Sequence, residues 1–151
     1  FDTHDIVEVD RLRIYDFYLL FPYKAYNIRL KSTETDYKKR LARFVKEKKA
    51  NPYNKTTSDR RLFLQLQRYQ MIALSHIASY GLIDPQLLLH QKVRVSDAAK
   101  MQQVMSQLEE MSDMENNIIS WLNSCFRTTP LAGTYGLKYR TQLLEYKYDG
   151  C

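Results

Sequence analysis

The side chains that most often hold metals or act as nucleophiles are few and scattered in this chain. His4, His76 and His90 lie far apart, and none has a second ligand at a spacing that would close a metal site on one element. Cys125 and Cys151 fit no CxxC or other metal-ligand spacing. We therefore predict no metal site and no cofactor, and the two lone cysteines favour a reducing, cytoplasmic location.

Sequence patterns that support catalysis are also missing. The chain has no glycine-rich phosphate loop and no GxSxG elbow, and Gly133 and Gly136 are too sparse to cradle a phosphate. Glu109 and Glu110 lie on the polar side of a predicted helix, where carboxylates are usually solvated. We predict no catalytic residues; an enzyme whose site is assembled from dispersed residues, including the histidines, is the least favoured alternative.

Positive charge is the strongest chemical signal in the sequence. The formal net charge is +6 and the pI is about 9.3, with most of the excess between Arg29 and Arg61. Lysine and arginine side chains attract phosphate backbones and release their counterions, so double-stranded DNA is a candidate partner. An acidic protein partner or an ordinary solvated helix face explains the same charge. The candidate DNA contacts are Lys38, Lys39, Arg40, Arg43, Lys46, Arg60 and Arg61.

Helices must position most of these residues. Only 4 glycines and 4 prolines occur among 151 residues, which is too little turn punctuation for an all-β fold. We predict a predominantly α-helical α+β fold in a single domain of residues 1–151, with a winged-helix-like arrangement as one form of it. Because the first residue is Phe1 rather than Met, we also expect a chain trimmed at its N-terminus. Four main helices are predicted at residues 10–22, 34–50, 58–80 and 98–126, and two short strands at 93–95 and 144–148.

The third predicted helix is apolar on several faces, which indicates a central core helix. It opens after Ser58 and is closed by Gly81 at the position that follows a helix. One face of this helix is expected to carry Leu62, Leu66, Tyr69, Ala73, Ile77 and Tyr80.

Two further segments are apolar enough to need cover. The first helix, reading DRLRIYDFYLLFP at residues 10–22, is apolar on nearly all sides. It is too short and too charged to span a bilayer, which takes roughly 20 apolar residues, so we expect protein to cover it and no membrane partner. The long fourth helix carries methionines at heptad-like spacing, which suits either a core or an adaptable protein interface. The candidate partner-interface residues are Tyr15, Phe17, Tyr18, Phe21, Met101, Met105 and Met111.

Four motifs together give the chain a family resemblance. They are DRLRIYDFYLLFP near the start, NPY at residues 51–53, YGLID at 80–84 and GLKYRTQLLEYKYD at 136–149. In this order they resemble the small middle component of bacterial ABC-three-component systems, and in particular the Lamassu-type accessory subunit. The resemblance spans nearly the whole chain.

The resemblance implies a non-enzymatic scaffold subunit of an anti-phage or anti-plasmid defence complex. Such a subunit would bridge an SMC-like ABC ATPase and a nuclease-type effector subunit, and would contact DNA through the basic flank. Family members carry further residues ahead of the first motif. The alternative function is a winged-helix-like DNA-binding transcriptional regulator, which would act as a free-standing homodimer.

Overall fold

The computed structural model describes residues 5–46 and 58–144, and these are mostly helical with a small antiparallel sheet, which confirms the predicted fold class. The end of the second predicted helix, the NPY motif and nearly all of the second predicted strand lie outside the described residues. The elements in chain order are β1 (Val7–Glu8), α1 (Val9–Leu20), a 3-10 helix (Pro22–Asn27), α2 (Thr35–Leu41), α3 (Asp59–Ser79), α4 (Pro85–Leu89), β2 (Lys92–Val93), α5 (Ala98–Ser106), α6 (Asp113–Phe126) and α7 (Leu137–Thr141).

The chain divides into two compact units. Unit 1 consists of Phe1–Arg13 and Leu66–Glu110, and unit 2 consists of Ile14–Gln65 and Met111–Cys151. Both α1 and α3 begin in one unit and end in the other. The single-domain organisation stays a prediction.

Unit 1 forms around the sheet. β1 pairs antiparallel with β2, with Val7 opposite Val93, and an isolated bridge joins Ile83 to Val95. Helices α1 to α4 separate these two strands in the chain, so the strands do not form the hairpin that a winged helix requires and give no support to that arrangement. The small core of the unit consists of Val9, Ile83 and Val93, packed against Leu12, Met71, Leu74, Ile77, Ala78, Leu88 and Met101.

The two arginines of the opening motif are buried in unit 1, and each has an acidic neighbour one helical turn before it. Arg11 lies 3.5 Å from Glu8, and Arg13 lies 3.3 Å from Asp10. The Nε of Arg13 also donates to Oε1 of Gln70 on α3 at 2.9 Å. A buried charge is costly unless it has such a partner. These two pairs therefore explain how α1 can bury two arginines.

Unit 2 has a core of aromatic rings. Phe17 of α1 packs edge-on against Tyr18 and Phe63, with ring centroids 5.2 and 6.0 Å apart. On α6, Trp121 and Phe126 form a similar pair at 5.5 Å. The indole N–H of Trp121 donates to the carbonyl oxygen of Tyr37 at 2.9 Å, so α6 is fastened to α2.

The predicted helix at residues 98–126 is wrong, because the chain forms two helices there. α5 ends at Ser106 and α6 begins at Asp113. A capping box starts α6: the backbone N–H of Glu115 donates to Oγ of Ser112 at 3.2 Å, and the N–H of Ser112 donates to Oε2 of Glu115 at 2.7 Å. Glu115 interrupts the apolar heptad because it is the third residue of a new helix.

The second predicted helix is also shorter than expected. α2 ends at Leu41, where the N–H groups of Arg43 and Phe44 bond to carbonyls three residues back. Such bonds tighten the chain and finish a helix. α3, in contrast, follows its prediction closely, and Gly81 follows it with a φ of +74°, in the left-handed region that favours glycine.

Candidate interaction surfaces

The opening aromatic residues lie mainly in the core of unit 2. Phe17 has no exposed surface and Tyr18 is also buried, while Phe21 is half-buried with its ring 5.3 Å from that of Phe17. The hydroxyl of Tyr15 donates to the carbonyl oxygen of Leu122 at 3.4 Å. Burial raises the pKa of Tyr18, and the charge of Asp59 adds to the shift. The chain therefore covers most of this segment itself, and only Leu20 at the end of α1 is well exposed.

The three candidate methionines do not share one stripe. Met101 packs against the core of unit 1, whereas Met105 is 59% exposed on α5. Met111 lies beyond the break between α5 and α6, in unit 2. Of these residues, Met105 keeps the exposure that a partner contact on unit 1 needs.

The side of α3 that faces away from the unit 1 core carries an unexpected apolar surface. Tyr69, Ile72 and Tyr80 are 71%, 48% and 64% exposed. On the apolar face expected from the sequence, Tyr69, Ala73 and Tyr80 are exposed, while Ile77 packs inward together with Met71 and Leu74, which that face did not include. We call the exposed set Tyr69, Ile72, Ala73, His76 and Tyr80 the α3 outer stripe.

The residue types on the two faces of α3 indicate which face is exposed. The inward positions are aliphatic or Met, while the outer stripe contains two tyrosines and a histidine, whose polar ends tolerate water. Spacing alone did not separate the two faces, because both repeat at three and four residues. Further exposed apolar side chains in unit 1 are Leu89 on α4 and Leu108 after α5.

The candidate DNA contacts lie in unit 2, which is strongly basic. Its described residues include 13 Lys and Arg against 6 Asp and Glu, while those of unit 1 include 6 against 7. Lys38 and Lys39 in the last turn of α2 are exposed, as are Arg43 and Lys46 after it. Exposed Arg61 and half-buried Arg60 lie in the first turn of α3.

Arg40 differs from the other candidates because its guanidinium points back into unit 2. It lies 3.3 Å from Asp36, donates to Oγ of Ser124 at 3.1 Å and to Sγ of Cys125 at 3.2 Å, and covers the ring of Tyr37. Burial raises the pKa of the Cys125 thiol, so that sulfur is neutral and accepts the bond. Arg40 therefore ties α2 to α6 and is a weaker candidate for a phosphate contact.

A buried ion pair joins two distant segments of unit 2, residues 29–34 and 135–140. Arg140 of α7 is buried, and its guanidinium donates to both carboxylate oxygens of Glu34, at 2.7 and 3.1 Å. It also donates to the carbonyl oxygens of Tyr135 at 2.7 Å and Arg29 at 3.3 Å. The N–H of Lys31 donates to the same carboxylate at 2.6 Å. Such bidentate bonding fixes both position and orientation.

The charge of Glu34 is stabilised at this junction. Burial alone would raise the pKa of Glu34, but the hydrogen bonds from Arg140 and Lys31 and their positive charges outweigh it, so its pKa lies below the ordinary value. Sequence reasoning missed the pair because its members are 106 residues apart. No local spacing signals such a contact.

Aromatic rings and cations alternate around the junction. The guanidinium of Arg29 lies 4.7 Å from the ring centre of Tyr139, and Nζ of Lys31 lies 5.4 Å from that of Tyr135. The two tyrosine rings meet edge-on at 5.4 Å. Tyr135 has a φ of +56°, which is uncommon for a bulky residue, and a Cβ on the next residue, Gly136, would come within 2.5 Å of the carbonyl oxygen of Ala132.

The histidines and cysteines form no metal-binding group in the part of the chain that the structure describes. Across residues 5–46 and 58–144, no three His, Cys, Asp or Glu side chains lie close enough together to hold an ion. His76 and His90 are exposed, and His4 and Cys151 lie outside the described residues. The absence of catalytic residues stays a prediction.

None of the described helices combines the length and the apolar character that crossing a membrane requires.

A family model described as ABC-three component (ABC-3C) system Middle Component 5 matches residues 1–149, which is nearly the whole chain. Neither the curated proteins nor the solved structures contain a match.

Proposed function

This chain belongs to the Middle Component 5 family of ABC-three component systems, and we propose that within such a system it bridges an SMC-like ABC ATPase and an effector subunit. The family match makes it an accessory component of a multi-component system, and this is the observation that carries the proposal. A non-enzymatic, Lamassu-type role in defence against phages or plasmids is the more specific function that we propose.

The α3 outer stripe supports a protein contact. Three large apolar side chains on one exposed helix face are unusual in a protein that acts alone, and aromatic residues are enriched at protein interfaces. Tyr69 and Tyr80 lie eleven residues apart, or about three helical turns, which is long enough to receive a helix laid along α3. We assign this stripe, with Met105 on the same unit, to a partner component.

The basic residues of unit 2 support the proposed DNA contact. Lys38, Lys39 and Arg43 are exposed, and the nearby Asp36 is already paired with Arg40. The exposed charge is therefore not neutralised locally, which favours a polyanion such as double-stranded DNA.

Co-purification tests the bridging role. The tagged chain is co-expressed with its two partner components, and the proposal predicts that ATPase and effector both remain bound through washing. In a Tyr69→Ser/Ile72→Ser variant we expect at least one partner to be lost, because the substitutions remove apolar contact area. A Gln67→Ser variant, which changes an exposed polar residue on the same helix, is the matched control and keeps both partners.

The regulator alternative predicts a different result. A free-standing regulator forms a homodimer that binds one duplex sequence tightly and retains neither component. If the isolated chain behaves in this way, the bridging role is contradicted.

A further inference from the structure

The junction around Arg140 has features that its packing role does not explain. A buried ion pair and backbone bonds are enough to hold the segments together, yet two tyrosines and two further cations surround the pair. None of Arg29, Lys31, Tyr135 or Tyr139 belongs to the predicted DNA contacts. The two cations attract an anionic group, and the two tyrosine rings stack on flat rings. Together the four side chains suit an anion that also carries flat rings.

We propose that Arg29, Lys31, Tyr135 and Tyr139 form a contact surface for a single nucleic-acid strand, positioned by the Glu34–Arg140 pair. This proposal takes the class of ligand from the DNA contact proposed above, but it concerns different residues and a different form of DNA. Surfaces for single strands combine cations that follow the backbone with aromatic side chains on which bases stack.

The arrangement of charges favours such a ligand over a neutral protein. The acidic side chain within the junction, Glu34, is already satisfied by the buried Arg140, so its charge does not repel an incoming phosphate. Lys31 is exposed and its ammonium group lies over the ring of Tyr135. A phosphate would draw this long side chain away from the ring and leave one face of the ring open to a base.

The backbone holds the ring of Tyr135 in place. Its left-handed φ is supported by the bond from Arg140 to its carbonyl oxygen and by the close approach of Gly136 to Ala132. Unusual backbone conformations of this kind persist only where the surroundings fix them, and they cluster at ligand-binding positions. Arg140 is therefore a positioning residue, since it is too buried to meet a ligand.

Fluorescence anisotropy on the 151-residue chain tests the proposal, with a labelled 20-nucleotide thymidine strand and a 20-base-pair duplex as probes. In Tyr135→Asn, which removes the ring but tolerates a left-handed φ, we expect single-strand binding to weaken about fivefold or more and duplex binding to change little. In Lys31→Ala, we expect the slope of log affinity against log salt for the single strand to fall by about 0.7. Lys92→Ala, on unit 1, is the matched control and keeps both affinity and slope.

The outcomes separate this proposal from the proposed function. Equal losses for strand and duplex in Tyr135→Asn, or an unchanged salt slope in Lys31→Ala, would overturn the single-strand surface while leaving the bridging role intact. Loss of partner components in co-purification would overturn the bridging role and leave this surface standing. Circular dichroism of each variant shows whether the fold is retained, and Lys31→Ala keeps the test decisive if Tyr135→Asn unfolds.

Discussion

The two units of this chain differ in which side chains they bury and which they expose. Unit 1 is close to electrically neutral, has a small core, and exposes Tyr69, Ile72 and Tyr80 along one helix. Unit 2 buries its large rings, including Phe17 and Trp121, and presents lysines and arginines to solvent. Unit 1 therefore exposes aromatic surface that a partner could cover, while unit 2 buries its largest rings, although Leu20 and Leu64 stay exposed, and offers positive charge.

The contrast shows why apolar composition alone does not identify an interface. The segment DRLRIYDFYLLFP is among the most apolar stretches of the chain, yet the chain itself covers Tyr15, Phe17 and Tyr18. Helix α3, whose sequence is less apolar, exposes the ring of Tyr69 and, just after its end, that of Tyr80. Burial in the fold, which apolar composition alone does not give, decides which apolar residues are available.

Truncating the core of unit 2 should have the largest effect. We expect Phe17→Ala to lower the free energy of unfolding by about 3–5 kcal/mol, because a fully buried ring that packs against Tyr18 and Phe63 leaves a cavity. Leu20→Ala, at the exposed end of the same helix, is the control and should change stability by less than about 0.5 kcal/mol. Urea denaturation measures both. Equal effects would show that the aromatic segment is not a core.

Breaking the ion pair should come next. We expect Arg140→Met to lower the free energy of unfolding by about 3 kcal/mol, since it leaves the carboxylate of Glu34 largely buried without its partner. The double variant Glu34→Gln/Arg140→Met should recover part of this loss, because no unpaired charge remains. Chemical denaturation of the four proteins of the cycle gives the coupling. A double variant as unstable as the sum of the singles would contradict the pairing.

The same pair makes the stability of unit 2 sensitive to acid. Because the folded pKa of Glu34 lies below its ordinary value of 4.5, its stabilisation is present above that pH and is lost as the pH falls through the folded pKa. We expect the stability difference between wild type and Glu34→Gln to shrink as the pH is lowered from 6 towards about 3. A difference that does not change with pH would show that Glu34 is not charged in the fold.

The start of α6 gives the smallest of these effects. Ser112→Ala removes the side-chain acceptor of the capping box and should lower stability by about 1 kcal/mol. Ser112→Asp, which caps nearly as well, should stay close to wild type. If Ser112→Ala has no effect on thermal unfolding, the hydroxyl of Ser112 does not stabilise the start of α6.

Local signals in the sequence predicted much of the fold but little of its surfaces. Ser58 and Gly81 mark the ends of α3 correctly, because caps depend on a few neighbouring residues. The pairing of β1 with β2 joins residues 84 and 86 positions apart, and the bond between Glu34 and Arg140 joins residues 106 apart, which no local pattern reveals. Spacing did not show which face of α3 is covered either, although the tyrosines and the histidine of the outer stripe gave a signal. The basic character of the flank was predictable from composition, but the inward turn of Arg40 was not.

We propose that unit 1 binds protein and unit 2 binds DNA, and a paired measurement on two variants tests this division. Complexes containing either Tyr69→Ser/Ile72→Ser or Lys38→Glu/Lys39→Glu are compared for partner retention and for duplex DNA affinity at fixed salt. We expect the first variant to lose a partner component, while the subunit that carries it still binds DNA as wild type does. The second variant should keep its partners and bind DNA several-fold more weakly. If the lysine variant loses its partners, or if the α3 variant keeps them and loses DNA binding, the division of roles is contradicted.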